Sequence, residues 1–204
     1  LASSLTSATF TPNSSLTTIG ALAFEGTGLT SISIPNSVSE IGSGAFQNAS
    51  SLESVAFTEF SVLTEISDHT FRGTEIASIH IPQTVTSIGK HAFFNVSSLE
   101  TVTFDGVPTI TSIGARAFQG TSVAEITIPA SVTSIGVGAF ALVPDLTEVT
   151  FAESSSITTI SANAFQGTGL TTIAIPASVV TLGNAAFLNA VDLSTVTIAD
   201  GSGL

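Results

Sequence analysis

Apolar residues recur along this chain in one repeated phrase. The stretch ISANAFQGTGLTTIAIPASVVTL, residues 160–182, carries it whole: an aliphatic residue, a short polar turn, Ala-Phe, a second turn, then L-x-x-I-x-I closed by Pro176. Within L-x-x-I-x-I the aliphatic positions alternate with small polar ones, the period of a strand that buries one face. The intervening positions form three solvent-facing columns. Glu53 and Glu100 lie in the first, Thr101, Glu125 and Glu148 in the second, and His80, Thr103, Thr127 and Thr150 in the third. These residues are the candidate binding face, a surface of short hydroxyls and a few carboxylates.

Aligned on I-G-x-x-A-F, the leading aliphatic residues are Ile19, Ile41, Ile66, Ile88, Ile113, Ile135, Ile160 and Leu182, separated alternately by 22 and 25 residues. A period in the twenties that contains L-x-x-I-x-I is the signature of leucine-rich repeats. The expected fold is a β-rich leucine-rich-repeat solenoid of the α/β class, with about nine short parallel strands and few or no regular helices. Repeats that start at Ile19, Ile66, Ile113 and Ile160 end their strand in Ile-Pro, as at Ile34-Pro35 and Ile128-Pro129. Those that start at Ile41, Ile88, Ile135 and Leu182 end it at Phe57, Phe104, Phe151 and Ile198, and a longer loop follows. Proline has no N–H to donate, so it should terminate the ladder in the first class. The Phe residues of the A-F slot, from Phe24 to Phe187, should stack as a buried spine at about the 4.8 Å strand spacing.

Both ends of the sequence fall inside a repeat. Leu5 to Ile19 matches Leu52 to Ile66 in spacing, and Leu204 falls in the slot of Leu16, Leu63, Ile110 and Ile157. The expectation is a single repeat domain over residues 1–204, a fragment of a longer array. The alternative is that uncapped ends meet another subunit, since a terminal repeat leaves an apolar face open.

Charge then narrows the partners. Only 9% of residues are charged, and the net charge of −12 is set against just Arg72, Lys90 and Arg116. Nucleic-acid binding needs several phosphate-neutralising cations, and docking on anionic lipid needs a basic surface, so neither partner is expected. Mean hydropathy is +0.57. Even so, the longest apolar run, near Val137 to Pro144, is broken by Gly138 and is far short of the roughly 18 residues of a spanning helix. Membrane insertion of this segment is not expected. The absence of cysteine excludes a disulfide framework and a thiolate metal site.

Three constellations could carry chemistry. His69, His91 and Arg116 share the second x of I-G-x-x-A-F in consecutive repeats, with Lys90 adjoining. Such a column could take a small anion or carboxylate, could offer a His pair to a metal, or could simply be variable surface slots that collected basic residues. The Glu pairs Glu53 with Glu100 and Glu125 with Glu148 recur in matching columns, but Ca²⁺ wants six to eight converging oxygens and a sheet face diverges. N-x-S sequons at Asn13, Asn48 and Asn95 are possible glycosylation sites in a secreting eukaryote. No nucleophile is placed with a base and a carboxylate, and no Gly-rich loop opens a helix; Gly26 to Gly28 and Gly167 to Gly169 read as turns. No catalytic residue, resident metal or cofactor is therefore expected.

The phrase I-P-x-S-V-x-x-I-G-x-x-A-F, written IPNSVSEIGSGAF from Ile34 and IPASVTSIGVGAF from Ile128, resembles the BspA-type leucine-rich repeat over essentially the whole chain. The usual Cys after A-F in that family is replaced here, as by Gln47, Arg72 and Gln119. The resemblance implies an extended secreted or cell-surface solenoid that acts in adhesion or protein interaction, with a protein or glycan ligand on a host or neighbouring cell. Two other readings remain: a wall, sheath or filament subunit self-associating through solenoid ends, and ice binding by the Thr and Ser columns.

Overall fold

The computed structural model describes residues 2–11, 14–201 and 203. In chain order its strands are β1 Thr18–Ile19, β2 Ser31–Ile34, β3 Glu40–Ile41, β4 Ser54–Phe57, β5 Glu65–Ile66, β6 Ser78–Ile81, β7 Ser87–Ile88 and β8 Thr101–Phe104. They continue as β9 Ser112–Ile113, β10 Glu125–Ile128, β11 Ser134–Ile135, β12 Glu148–Phe151, β13 Thr159–Ile160, β14 Thr172–Ile175, β15 Thr181–Leu182 and β16 Thr195–Ile198. Every pairing among them is parallel, and no helix occurs among the described residues. Each repeat thus contributes a four-residue strand on one side of the coil and a two-residue strand on another. Among the described residues eight four-residue strands form where about nine were expected; residues 7–10, the first candidate, lie in no ladder. A ladder needs a neighbour with matching free donors and acceptors, and β2 makes its ladder with β4 alone.

The four-residue strands pair two by two, as β2-β4, β6-β8, β10-β12 and β14-β16. Proline explains the grouping. The residue after each long-class strand, Thr58, Asp105, Ala152 and Ala199, donates its N–H to Ile34, Ile81, Ile128 and Ile175 of the preceding repeat at 3.1, 2.9, 3.0 and 3.0 Å. In the short class that residue is Pro82, Pro129 or Pro176, which has no proton to give to Phe57, Phe104 or Phe151. A ladder therefore closes inside each 47-residue superperiod and opens between superperiods. Single bonds such as Glu75 N–H to Leu52 C=O, 3.0 Å, bridge the openings.

Alternation along the strands is as the pattern requires. In β2, β6, β10 and β14 the second and fourth residues are buried and the first and third exposed. The A-F phenylalanines form one unbroken stack from Phe24 to Phe187, with neighbouring centroids 5.2–5.8 Å apart. The ring spacing is thus wider than the expected value of about 4.8 Å. Phe46, Phe71, Phe93, Phe118, Phe140 and Phe165 are wholly buried, and each ring removes about 150–250 Å² from water.

The turns on either side of the spine are built on two left-handed columns. The second x of I-G-x-x-A-F, namely Leu22, Gly44, His69, His91, Arg116, Gly138, Asn163 and Ala185, has φ between +55° and +63° in every repeat. So does the slot two residues after the Phe, where Gly26, Asn48, Gly73, Asn95, Gly120, Leu142, Gly167 and Asn189 have φ of +56° to +72°. This geometry turns alternate N–H groups toward the next repeat; Phe71 N–H reaches Ala92 C=O at 2.8 Å and Phe93 N–H reaches Ala117 C=O at 2.8 Å. The spine thus has its own backbone hydrogen bonds. In the short class a buried threonine completes the turn: Thr27, Thr74, Thr121 and Thr168 each donate the hydroxyl to the carbonyl of the preceding Phe at 2.9–3.0 Å.

Candidate binding surface

The parallel register brings side chains of one column into adjacent positions. Glu125 faces Glu148 across β10 and β12, and Thr127 faces Thr150. Equal charges directly across a ladder repel, so this pair is a cost that folding alone does not require. With Glu100, Thr101, Thr103, Thr127 and Thr150, the two carboxylates line a groove of about 650 Å³ running over three repeats. Its floor is Val102 and Ile126, and its wall is Val107, Pro108, Pro129 and Ala130. The groove therefore offers carboxylates and hydroxyls on one side and an apolar rim on the other.

Seven of the nine candidate face residues meet in this groove. His80 stands at its edge, with Nδ1 hydrogen-bonded to the Thr103 hydroxyl. Glu53 is in the same strand column but lies outside the groove. The sequence pattern misses the apolar rim. Val107 is 83% exposed; its counterpart in the preceding long loop, Phe60, is 87% exposed with φ +61° and lies outside this groove. The available signal was a large apolar residue in a loop whose third counterpart, Glu153-Ser154, is polar.

The basic column forms a second surface. The imidazoles of His69 and His91 stack with centroids 4.9 Å apart, His91 meets Phe94 edge-on at 5.0 Å, and the Arg72 guanidinium carbon lies 5.3 Å from the Phe94 ring centre. Partial burial lowers the pKa of His69, helped by Arg72 and Lys90 and opposed by Asp68. Burial, then His69, Lys90, Arg116 and Arg72, bring His91 down to about 4. Among the described residues no group of three His, Cys, Asp or Glu side chains could hold a metal ion. His69, His91 and Arg116 all occupy the first left-handed backbone column.

The sequons have a structural context as well. Asn48 and Asn95 are exposed and alternate with glycine in the second left-handed column, a conformation that asparagine tolerates better than most residues. Asn13 lies outside the described residues, as does Leu204.

These features define a parallel, all-turn-and-strand repeat solenoid with a ridged strand face. The family profile of the BspA type leucine rich repeat region matches in 6 copies, over residues 2–79 and 64–194, and the chain belongs to that family. It is similar in structure to the pneumococcal vaccine antigen PcpA, at 27% identity and a TM-score of 0.62, over 84% of this chain and 41% of that one. It is also similar to a leucine rich cell surface protein from Faecalibacterium prausnitzii A2-165, at 33% identity and a TM-score of 0.51, over 69% of this chain and 43% of that one. A leucine-rich repeat protein from Bacteroides ovatus ATCC 8483 shares the fold at 24% identity and a TM-score of 0.58, over 91% of this chain and 59% of that one. The chain thus spans less than two thirds of each of these proteins. No curated protein matches it.

Proposed function

We propose that this chain is a protein-interaction or adhesion module of a secreted or cell-surface protein, and that it binds through the strand-face groove centred on β10. The observation that carries this reading is the register pair Glu125 and Glu148 beside an apolar rim of exposed Val107 and half-buried Pro108. Two like charges held side by side at a groove edge, next to an apolar wall from which Val107 projects, suit a partner segment that carries both a cation and an apolar anchor. A vaccine antigen and a cell-surface protein among the similar structures support the location. No helix among the described residues is long and apolar enough to cross a membrane.

The test is a selection of displayed peptides and of extracellular-matrix proteins on the immobilised chain, repeated with the double variant Glu125→Gln, Glu148→Gln and with Val107→Ser. All three substituted positions are exposed, so folding should be preserved. Binders lost by both variants would carry the proposal. Binders that ignore both would place the interaction elsewhere on the solenoid.

A further inference from the structure

His69, His91 and Arg116 stand one above another in three successive turns, and around them lies all of the chain's Lys and Arg. Arg72, Lys90 and Arg116 oppose 15 Asp and Glu in the sequence. Dispersed among so many carboxylates, each could have found a partner. Instead none forms an ion pair with a carboxylate among the described residues. Arg72 lies over the Phe94 ring, Phe94 packs edge-on against His91, and His91 stacks on His69. The Nδ1 atoms of both imidazoles are buried without a hydrogen-bond partner. Asp68 is the carboxylate that acts on His69, and its Oδ1 already accepts the Lys90 backbone N–H at 2.6 Å.

We propose that this column is a binding site for a tetrahedral oxyanion, a sulfate or phosphate group, free or as an ester, centred on His91. Lys90 and Arg116 are exposed to meet it, while Arg72 and the stacked imidazoles form its floor. Arg72, Lys90 and Arg116 all act electrostatically on His91, so an anion there compensates three cations at once. A metal ion is the wrong sign for such a site. A nucleic-acid strand needs more phosphate contacts than three cations can make. The bound anion also favours protonation of the imidazoles, so binding tightens as pH falls toward the range in which they take up a proton.

The imidazole resonances of the whole chain report the site directly, with His80 on the strand face as an internal control. Inorganic sulfate and a sulfated hexasaccharide are titrated in separate series, at pH 7 and 5.5 and at ionic strength held constant with chloride. The variant is Lys90→Gln, Arg116→Asn; Asn163 occupies the Arg116 slot in another repeat at φ +58°, so the turn keeps its geometry. The expected result is saturable shifts at His69 and His91 with His80 still, and binding at least tenfold weaker in the variant. Saturation by sulfate alone assigns a free oxyanion, and saturation by the hexasaccharide alone assigns an ester on a glycan. Lack of saturation by either probe, an equal response of His80, or unchanged binding by the variant would overturn the proposal. Groove variants at Glu125 and Glu148 should leave these titrations unaltered, which separates this site from the strand-face reading.

Discussion

The imidazole of His91 stacks on that of His69 at 4.9 Å while both backbones hold left-handed φ of +56° and +60°. Neither ring gains a hydrogen bond at Nδ1 from this arrangement. Partial burial and three neighbouring cations keep His91 neutral in the fold down to about pH 4, whereas the unfolded chain takes up the proton near its ordinary value of 6.5. A depressed histidine pKa means that the unfolded state binds the proton first. The stabilising contribution is therefore present above pH 6.5 and is lost as pH falls from 6.5 toward 4. Thermal melts should show Tm flat between pH 8 and 7 and falling between pH 6.5 and 5. His91→Asn, which suits the left-handed slot, should flatten that interval. An unchanged slope in the variant would remove His91 as its cause.

Arg116 occupies the same left-handed slot at φ +55°. A residue with a Cβ is held there at a cost of about 1 kcal/mol relative to glycine. Arg116→Gly should accordingly raise stability by roughly 0.5–1 kcal/mol, although glycine in an ordinary turn would lower it. The reverse change, Gly138→Val, places a β-branched side chain at φ +62° and should destabilise by at least as much. Denaturant midpoints of the two variants decide the matter, since opposite signs are required.

The strands, the two repeat classes and the spine were legible because each is written as periodicity. Alternation exposes Glu125 and buries Ile126; Pro129 announces the break in the ladder by its missing N–H. The left-handed columns were less legible. Glycine and asparagine recur in the Gly26, Asn48, Gly73 column, but Leu22, His69, Arg116 and Ala185 disguise the other, because neighbouring repeats impose the conformation on residues that would not choose it. The groove was half legible. Its carboxylates and threonines follow from strand alternation, whereas Val107 and Pro108 sit in a loop whose path no period predicts.

The spine makes a graded prediction. Phe118 is wholly buried between Phe93 and Phe140, at 5.2 and 5.3 Å, while Phe187 has one ring neighbour, at 5.8 Å, and is half-buried. Phe118→Ala should cost about 3–5 kcal/mol, the range for a buried aromatic truncated to alanine. Phe187→Ala should cost clearly less, because part of its ring is already in water. Urea unfolding of both variants tests this, and equal losses would show that the stack gains nothing from two-sided contact.

Thr121 separates packing from hydrogen bonding in the same turn. Its side chain is buried, and its hydroxyl donates to the Phe118 carbonyl at 2.9 Å, while the long-class repeats place Ala49, Val96 or Val143 in the same slot. Valine therefore fits the space, and Thr121→Val removes one hydroxyl bond with little change of shape. The Phe118 carbonyl is one of four short-class carbonyls that receive this bond. The expected loss is about 1 kcal/mol, the net value of a typical intramolecular hydrogen bond. A companion variant, Val96→Thr, supplies a hydroxyl where the long class has none, three residues after Phe93. If the bond to the preceding Phe carbonyl is what favours threonine, Val96→Thr should be nearly neutral, because the new hydroxyl can reach the Phe93 carbonyl by the same short path. A loss larger than that of Thr121→Val would mean that the two turn classes differ in backbone as well as in side chain, and that threonine is confined to the short class by shape.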